Sequence, residues 1–285
     1  MRKVELIVYN ARSIDLAILR NDPMRYAMRA TEEERLLLIK YLRGPQGLAG
    51  PAGPQGPAGA DGASAVRTNA QFLAFTDCIA NTASNDFAYG TSGTGAGFSS
   101  VSVGSLNAVG IMRAALGTTA TGRAAIASAN LGVLKFGNGV AFFKSNTRIV
   151  SLSDATNTYT FRAGFIDSIS AESTDGAFFR YAHGTNGGRF EAVTRNNGVE
   201  TATDTGITVA ANTWYKFEIT VNAVGTSVEF KINGAVVATN TTNIPTASGR
   251  ETGYGVMALR SVGTAAFSCY DCDFIEVRYD FTAPR

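Results

Sequence analysis

The sequence predicts a mainly β protein: an antiparallel β-sandwich, carried on a collagen-like triple-helical stalk behind a small α+β segment, and assembled as a homotrimer. Two observations carry this. Gly44 to Ser64 is seven uninterrupted Gly-X-Y triplets. The chain after it alternates apolar and polar residues in short runs separated by Asn, Gly, Asp and Thr, the pattern of half-buried strands joined by turns. Three segments follow: 1–43, 44–64 and 65–285.

The first segment holds nine Lys or Arg against six Asp or Glu. Val4 to Tyr9 has strand character and Ser13 to Leu19 a short helical pattern. Asp22-Pro23 supplies N-cap and first-turn chemistry. Thr31-Glu-Glu-Glu34 forms a capping box ahead of a helix ending at Arg43, with acids in its first turn and bases in its last, as the helix dipole favours. A surface this small and mixed in sign suits docking onto protein rather than nucleic acid. The opening residues are basic and then apolar, but the apolar run is short, contains Glu5 and lacks a small-residue cleavage site. Assembly in a cytoplasm is the expectation, without insertion into a membrane.

In the second segment Gly44, Gly47, Gly50, Gly53, Gly56, Gly59 and Gly62 recur at every third position. Three polyproline-like chains wound together leave room at their axis only for glycine. Proline fills four of the seven X positions and fixes φ in advance. A flexible linker needs no period; seven glycines in register have a chance probability on the order of one in ten million. At ~3 Å per residue the stalk spans roughly 60 Å. It is too short to hold three chains alone, so the flanking segments are expected to trimerise as well.

The third segment carries sixteen residues of each charge sign, so it has no electrostatic footprint for phosphate backbones. Trp214 to Val221 alternates with Tyr215, Phe217, Ile219 and Val221 on one face. Val228, Phe230 and Ile232 alternate with Glu229 and Lys231. Asn233-Gly234 then provides a type I′ turn into Ala235 to Thr239, a hairpin. Thr158 to Phe165, Ala177 to Tyr181, Arg189 to Thr194, Gly255 to Arg260 and Ile275 to Phe281 complete the expected strands. Residues 85–130 are rich in Gly, Ser, Ala and Thr. Ala114 to Ala127 has a partly helical composition, while the rest suits strands near a three-fold axis or long loops.

The Asn-Thr-Trp-Tyr strand, the Phe-Lys-Ile-Asn-Gly hairpin and the Asp273–Arg278 strand resemble concanavalin- and laminin-G-like jelly rolls over about Thr158 to Asp280. The layout of anchor, collagen-like stalk and β-rich head also resembles bacteriophage fibre proteins. That resemblance implies a trimeric virion-surface appendage, docked to other virion proteins through residues 1–43. Its head would serve host-surface glycan adhesion; decoration of the capsid shell is the other reading, since 285 residues is small for a long tail fibre.

Chemistry in the sequence is sparse. Asp271-Cys-Asp-Phe-Ile-Glu276 resembles the Glu-x-Asp-x-x-Glu strand of β-glucanases, where a retaining mechanism needs two carboxylates about 5 Å apart. The first position here is the shorter Asp, and simple alternation sets Glu276 on the face opposite Asp271 and Asp273 unless a bulge intervenes. Glycan hydrolysis is therefore the remote alternative, and no enzyme activity is expected. Cys78, Cys269 and Cys272 make no disulfide framework and are expected as buried thiols, although Cys269 and Cys272 have redox or half-zinc-site spacing. Asp271, Asp273 and Asp167 could lie near a calcium ion, as in some lectins, but their spacing alone is a weak signal. His183, the sole histidine, sits in a loop without a nucleophile elbow, and Gly90 to Gly97 lacks the Lys of a phosphate loop. No cofactor is expected. Glycan contacts are expected from the loops carrying Tyr181, His183, Asn186, Asn196 and Asn197, which combine an aromatic with amides.

Overall fold

A computed structural model describes residues 70–79, 84, 86–102 and 108–283. The expected elements of residues 1–43 and the Gly44–Ser64 triplets, with all seven of their glycines, lie outside the described residues.

Strands are numbered in chain order. One antiparallel sheet runs β13 (Ala235–Asn240), β12 (Val228–Ile232), β11 (Trp214–Val221), β6 (Gly139–Ile149), β15 (Phe267–Phe281), β4 (Met112–Leu116), β3 (Gly97–Ser100). β1 (Gln71–Thr76) continues the row of β4, pairing with the last half of β15. The other sheet runs β10 (Val199–Thr208), β9 (Arg189–Asn196), β8 (Gly176–Ala182), β7 (Tyr159–Ile166), β14 (Gly255–Arg260), β5 (Arg123–Ala127), β2 (Ala88–Ser92). The two pack face to face as a jelly-roll sandwich.

Alternation decides the core. Tyr215, Phe217, Ile219 and Val221 of β11 are all buried, while the residues between them face outward. Phe217 packs on Phe179 and Phe190 of the facing sheet at ring separations of 4.9 and 5.1 Å. Truncating so enclosed an aromatic costs about 3–5 kcal/mol. Asn233 (φ 53°) and Gly234 (φ 83°) take the left-handed geometry that a type I′ turn requires, so the expected hairpin is present.

Ala114 to Ala127 is not helical. Met112, Ala114 and Leu116 alternate inward in β4, and Ala124 to Ala127 are all buried in β5. Alanine's helix preference, a few tenths of a kcal/mol per residue, yields here to ladder pairing on both sides of β5. Gly117 lies between β4 and β5, where a Cβ would sit 1.9 Å from the Thr94 carbonyl. The Gly90–Gly97 stretch is the end of β2, a turn and the start of β3, crossing from one sheet to the other.

β15 is longer than expected and carries two bulges. Against β6, Cys272 faces Thr147 and Phe274 faces Asn146, leaving Asp273 as the extra residue. The bulge shifts the phase of the strand: Cys272 and Ile275 both point into the core. Asp271 and Glu276 therefore share the outer face, opposite Arg148 and Lys144 of β6. This corrects the face assignment made from simple alternation.

The outer face of the second sheet has a small core of its own. Ala125, Ile166, Phe178, Val193 and Met257 are covered by Leu131, Ile169 and Leu259. The segment after β7 brings Ile169 to 2.7 Å from where a Cβ of Gly90 would sit, so that face is not an open groove.

Candidate functional site

The five residues expected to contact glycan do not form one site. Tyr181 is buried in the main core, and its hydroxyl accepts from Ser153 N at 3.1 Å. An enclosed ring offers no stacking face, so the aromatic-platform expectation fails at this position. Asn186 sits with His183 in the β8–β9 connection, taking φ 49° beside two turn glycines. Asn196 and Asn197 lie at the opposite end of β9, where Asn197-Gly198 is the two-residue turn into β10. Asn197 N donates to Asp175 Oδ1 at 2.7 Å. Eight residues of strand, about 25 Å, separate the two groups.

His183 and the Tyr181 hydroxyl both reach Ser153, beside a cleft that neither lines. The cleft holds about 180 Å³ and is lined by Ser151, Leu152, Asp154, Asn157, Ala265 and Phe267, from the β6–β7 and β14–β15 connections. Its walls are braced. Asp154 Oδ1 accepts from Asn157 N (2.7 Å) and Thr156 N (2.8 Å), closing an Asx turn. Ser153 Oγ accepts from Tyr159 N at 2.9 Å, and Tyr159 Oη donates to Ser151 O at 2.5 Å. Asn157 Oδ1 accepts from Ala265 N at 3.2 Å, tying the two loops together. Beneath them Arg260 donates to Gly117 O (2.7 Å) and Ala265 O (2.5 Å), with its guanidinium 4.9 Å from the Phe267 ring centre.

This bracing leaves groups for a ligand. The backbone N–H of Asn157, then that of Thr156, holds the Asp154 carboxyl below its ordinary pKa, so it stays charged. Asp154 Oδ2 and Asn157 Nδ2 make no bond among the described residues. His183 Nδ1 lies 3.1 Å from Ser153 O; a carbonyl only accepts, so Nδ1 donates there and Nε2 is left for another partner. Phe267 and Leu152 add apolar surface. A charged acceptor, an amide donor and an aromatic edge at a rigid rim suit a hydroxyl-rich ring. Sequence reasoning missed Asp154, Asn157 and Phe267; Ser153-Asp-Ala-Thr-Asn157 between two strands was the available signal.

The acidic strand is occupied by structure. The Asp271 side chain is fully enclosed, with Oδ1 accepting from Arg113 Nε (2.8 Å) and Oδ2 from Arg113 Nη2 and Arg148 Nε (both 2.9 Å), and from Arg148 Nη2. Asp273 Oδ2 accepts from Asn146 Nδ2 at 3.0 Å. Asp167 is separate, accepting from Thr174 N and Asp175 N at 2.9 and 3.0 Å. No group of three or more metal-ligating side chains occurs among the described residues. The three cysteines are free and buried. Cys272 contacts Cys78 rather than its sequence neighbour Cys269, and burial pushes the Cys269 thiol up to about 12. On the second sheet Arg162, Arg180 and Arg195 interlace with Glu172, Glu191 and Glu200, three charges of each sign that neutralise one another.

A family model described as SO2946-like, C-terminal domain matches residues 107–273, more than half of the chain. The fold is similar to the crystal structure of SO2946 from Shewanella oneidensis MR-1, described as a protein of unknown function. The TM-score is 0.58 at 16% identity, covering 75% of this chain and 89% of that one. Endo-1,3-beta-glucanase from Streptomyces sioyaensis scores 0.49 at 10% identity over 79% of this chain and 99% of that one. The carbohydrate recognition domain of Emp47p scores 0.47 at 12% identity, covering 75% and 96%. At such identities the likeness shows the fold alone. No curated protein matches the sequence.

Proposed function

The chain belongs to the SO2946-like, C-terminal domain family, and from that premise we propose that it is a homotrimeric virion-surface fibre or spike whose β-sandwich head binds host-surface glycans. The observation that carries the proposal is the run of seven Gly-X-Y triplets ending immediately before the head. Only a three-chain assembly uses glycine at that spacing. In this reading residues 1–43 dock on other virion proteins, 44–64 hold the head away from the particle, and the head acts by binding, without catalysis or cofactor.

Binding is assigned to the cleft of Asp154, Asn157 and Phe267. The neighbours that include a carbohydrate recognition domain make a sugar a natural first probe, and the braced loops support it, since a preformed site loses little entropy on binding. A cleft of about 180 Å³ takes one sugar unit rather than a long chain. Single-unit affinities are weak; three tethered heads multiply them through effective concentration.

The test is a glycan array probed with the full chain, beside adsorption of particles lacking it. Binding lost in Asp154→Ala, and failed adsorption, support the reading. Particles that adsorb normally but rupture more readily would overturn it in favour of capsid decoration. Reducing-end release from a polysaccharide, abolished by Glu276→Gln, would overturn the non-catalytic assignment.

A further inference from the structure

The outer surface of β1 is unusually apolar for a strand at a sheet margin. β1 pairs with β15 and with no other strand among the described residues. Ala74 points into the core, so Leu73 and Phe75 point out, and both are exposed, Phe75 by half. Ile79 follows at 61% exposure. Val109 is at 70%, and its neighbour Gly110 packs so closely on Ile79 that a Cβ there would lie 2.7 Å from the Ile79 Cα. Of the ten large hydrophobics exposed among the described residues, these four lie on or beside one strand. Phe75 extends the patch by stacking on Phe274 at 6.3 Å, and Arg278 lies 5.4 Å from the Phe142 ring centre alongside. Isolated apolar residues on a surface are ordinary, but a contiguous margin strand of this kind invites a partner.

We infer that this surface, centred on Leu73 and Phe75, is where the three heads of the trimer pack against one another. The inference rests on the three-chain reading of the Gly-X-Y run. That run ends at Ser64 and β1 begins at Gln71, so only six residues intervene, a reach of at most about 22 Å. Three chains leaving one triple helix are thus tethered with their β1 strands close to a common end point, before any contact between heads is considered. Alongside the patch Arg278 and Asp280 pair at 3.0 Å, and Lys144 lies opposite Glu276. The patch also supplies the association beyond the stalk that seven triplets need.

The experiment uses the full chain with p-benzoylphenylalanine in place of Phe75, and the same probe in place of Val199 as a control on the other sheet. Mass photometry first gives the size, then irradiation and peptide mapping identify the partner of each adduct. The expected result is a three-chain particle in which the Phe75 probe forms interchain adducts on Leu73, Ile79, Val109 or Phe274, and the Val199 probe forms none. A three-chain particle whose adducts are intrachain, fall on residues 1–69, or are absent would overturn the head interface while leaving the stalk reading intact. A single-chain particle would overturn both.

Discussion

Replacing Asp271 with alanine removes the one acceptor that Arg113 and Arg148 share. Both carboxylate oxygens are engaged, and the side chain has no exposed surface. Breaking one side of a buried ion pair costs about 3–5 kcal/mol, mostly from the charges left without a partner. Here the arginine side chains are 31% and 18% exposed and regain some hydration, which places the loss at the lower end, about 3 kcal/mol. For a domain of this size each kcal/mol shifts Tm by roughly 2–4 °C, so the head should melt about 6–12 °C lower. Asp271→Asn keeps the volume and one acceptor, and should lose about half as much. The assay is intrinsic tryptophan fluorescence on heating. Trp214 is the only tryptophan and lies 5.0 Å from the Arg148 guanidinium, so the signal reports the head at the affected place. A Tm within about 2 °C of the parent would refute the reasoning. It would leave this carboxylate free for other work, and the hydrolase reading would regain force.

Three further outcomes are expected. On the proposed three-chain reading of the Gly-X-Y run, Gly53→Ala puts a methyl group on the triple-helix axis and should lower the fraction of three-chain particles on dilution, measured by mass photometry. The three thiols should resist a thiol-reactive disulfide reagent in the native protein and all react in denaturant; for Cys269, with its pKa pushed up to about 12, the thiolate is scarce at neutral pH even where the reagent reaches it. Because backbone N–H groups depress the Asp154 pKa, its contribution to the loop, and on the proposed reading to a bound glycan, is present above the ordinary aspartate value and is lost only as pH falls through the depressed one. Glycan binding should therefore persist through pH 5 and fail in stronger acid, and failure already near pH 6 would remove Asp154 from the site.

The sequence was most legible where pattern and turn chemistry agree. β11 to β13 combine clean alternation with an Asn-Gly turn, and the structure places each expected inward residue in the core. β6 escaped notice although it is the longest partner of β15. Its inward positions include Ser145 and Thr147, both buried, which break the apolar rhythm. Those hydroxyls are tolerated because Thr147 donates to Ser145 at 3.4 Å beside Cys272. The alanines of β4 and β5 carry no β signal of their own; their pairing is written in distant strands. The candidate cleft is hidden for the same reason. Asp154 and Phe267 are 113 positions apart, and only the meeting of two inter-strand loops makes them neighbours.

The acidic strand shows what a linear motif omits. Its phase change was readable: apolar Tyr270 and Cys272 keep one parity, and Ile275, Val277 and Tyr279 the other, so a residue between them had to bulge. That bulge gathers Asp271 and Glu276 on one face, the arrangement a glycosidase strand would need. Whether the pair is available for chemistry depends instead on the adjacent strands. β4 contributes Arg113 and β6 contributes Arg148, and between them they enclose the first carboxylate. Such enclosure suits cohesion of the sheet and leaves the Asp271 side chain no exposed surface. The open polar groups lie at a loop rim, outside the motif. Which carboxylates stay open on this scaffold is therefore decided by what their neighbours have already claimed, a property of the strand order that no single strand's sequence contains.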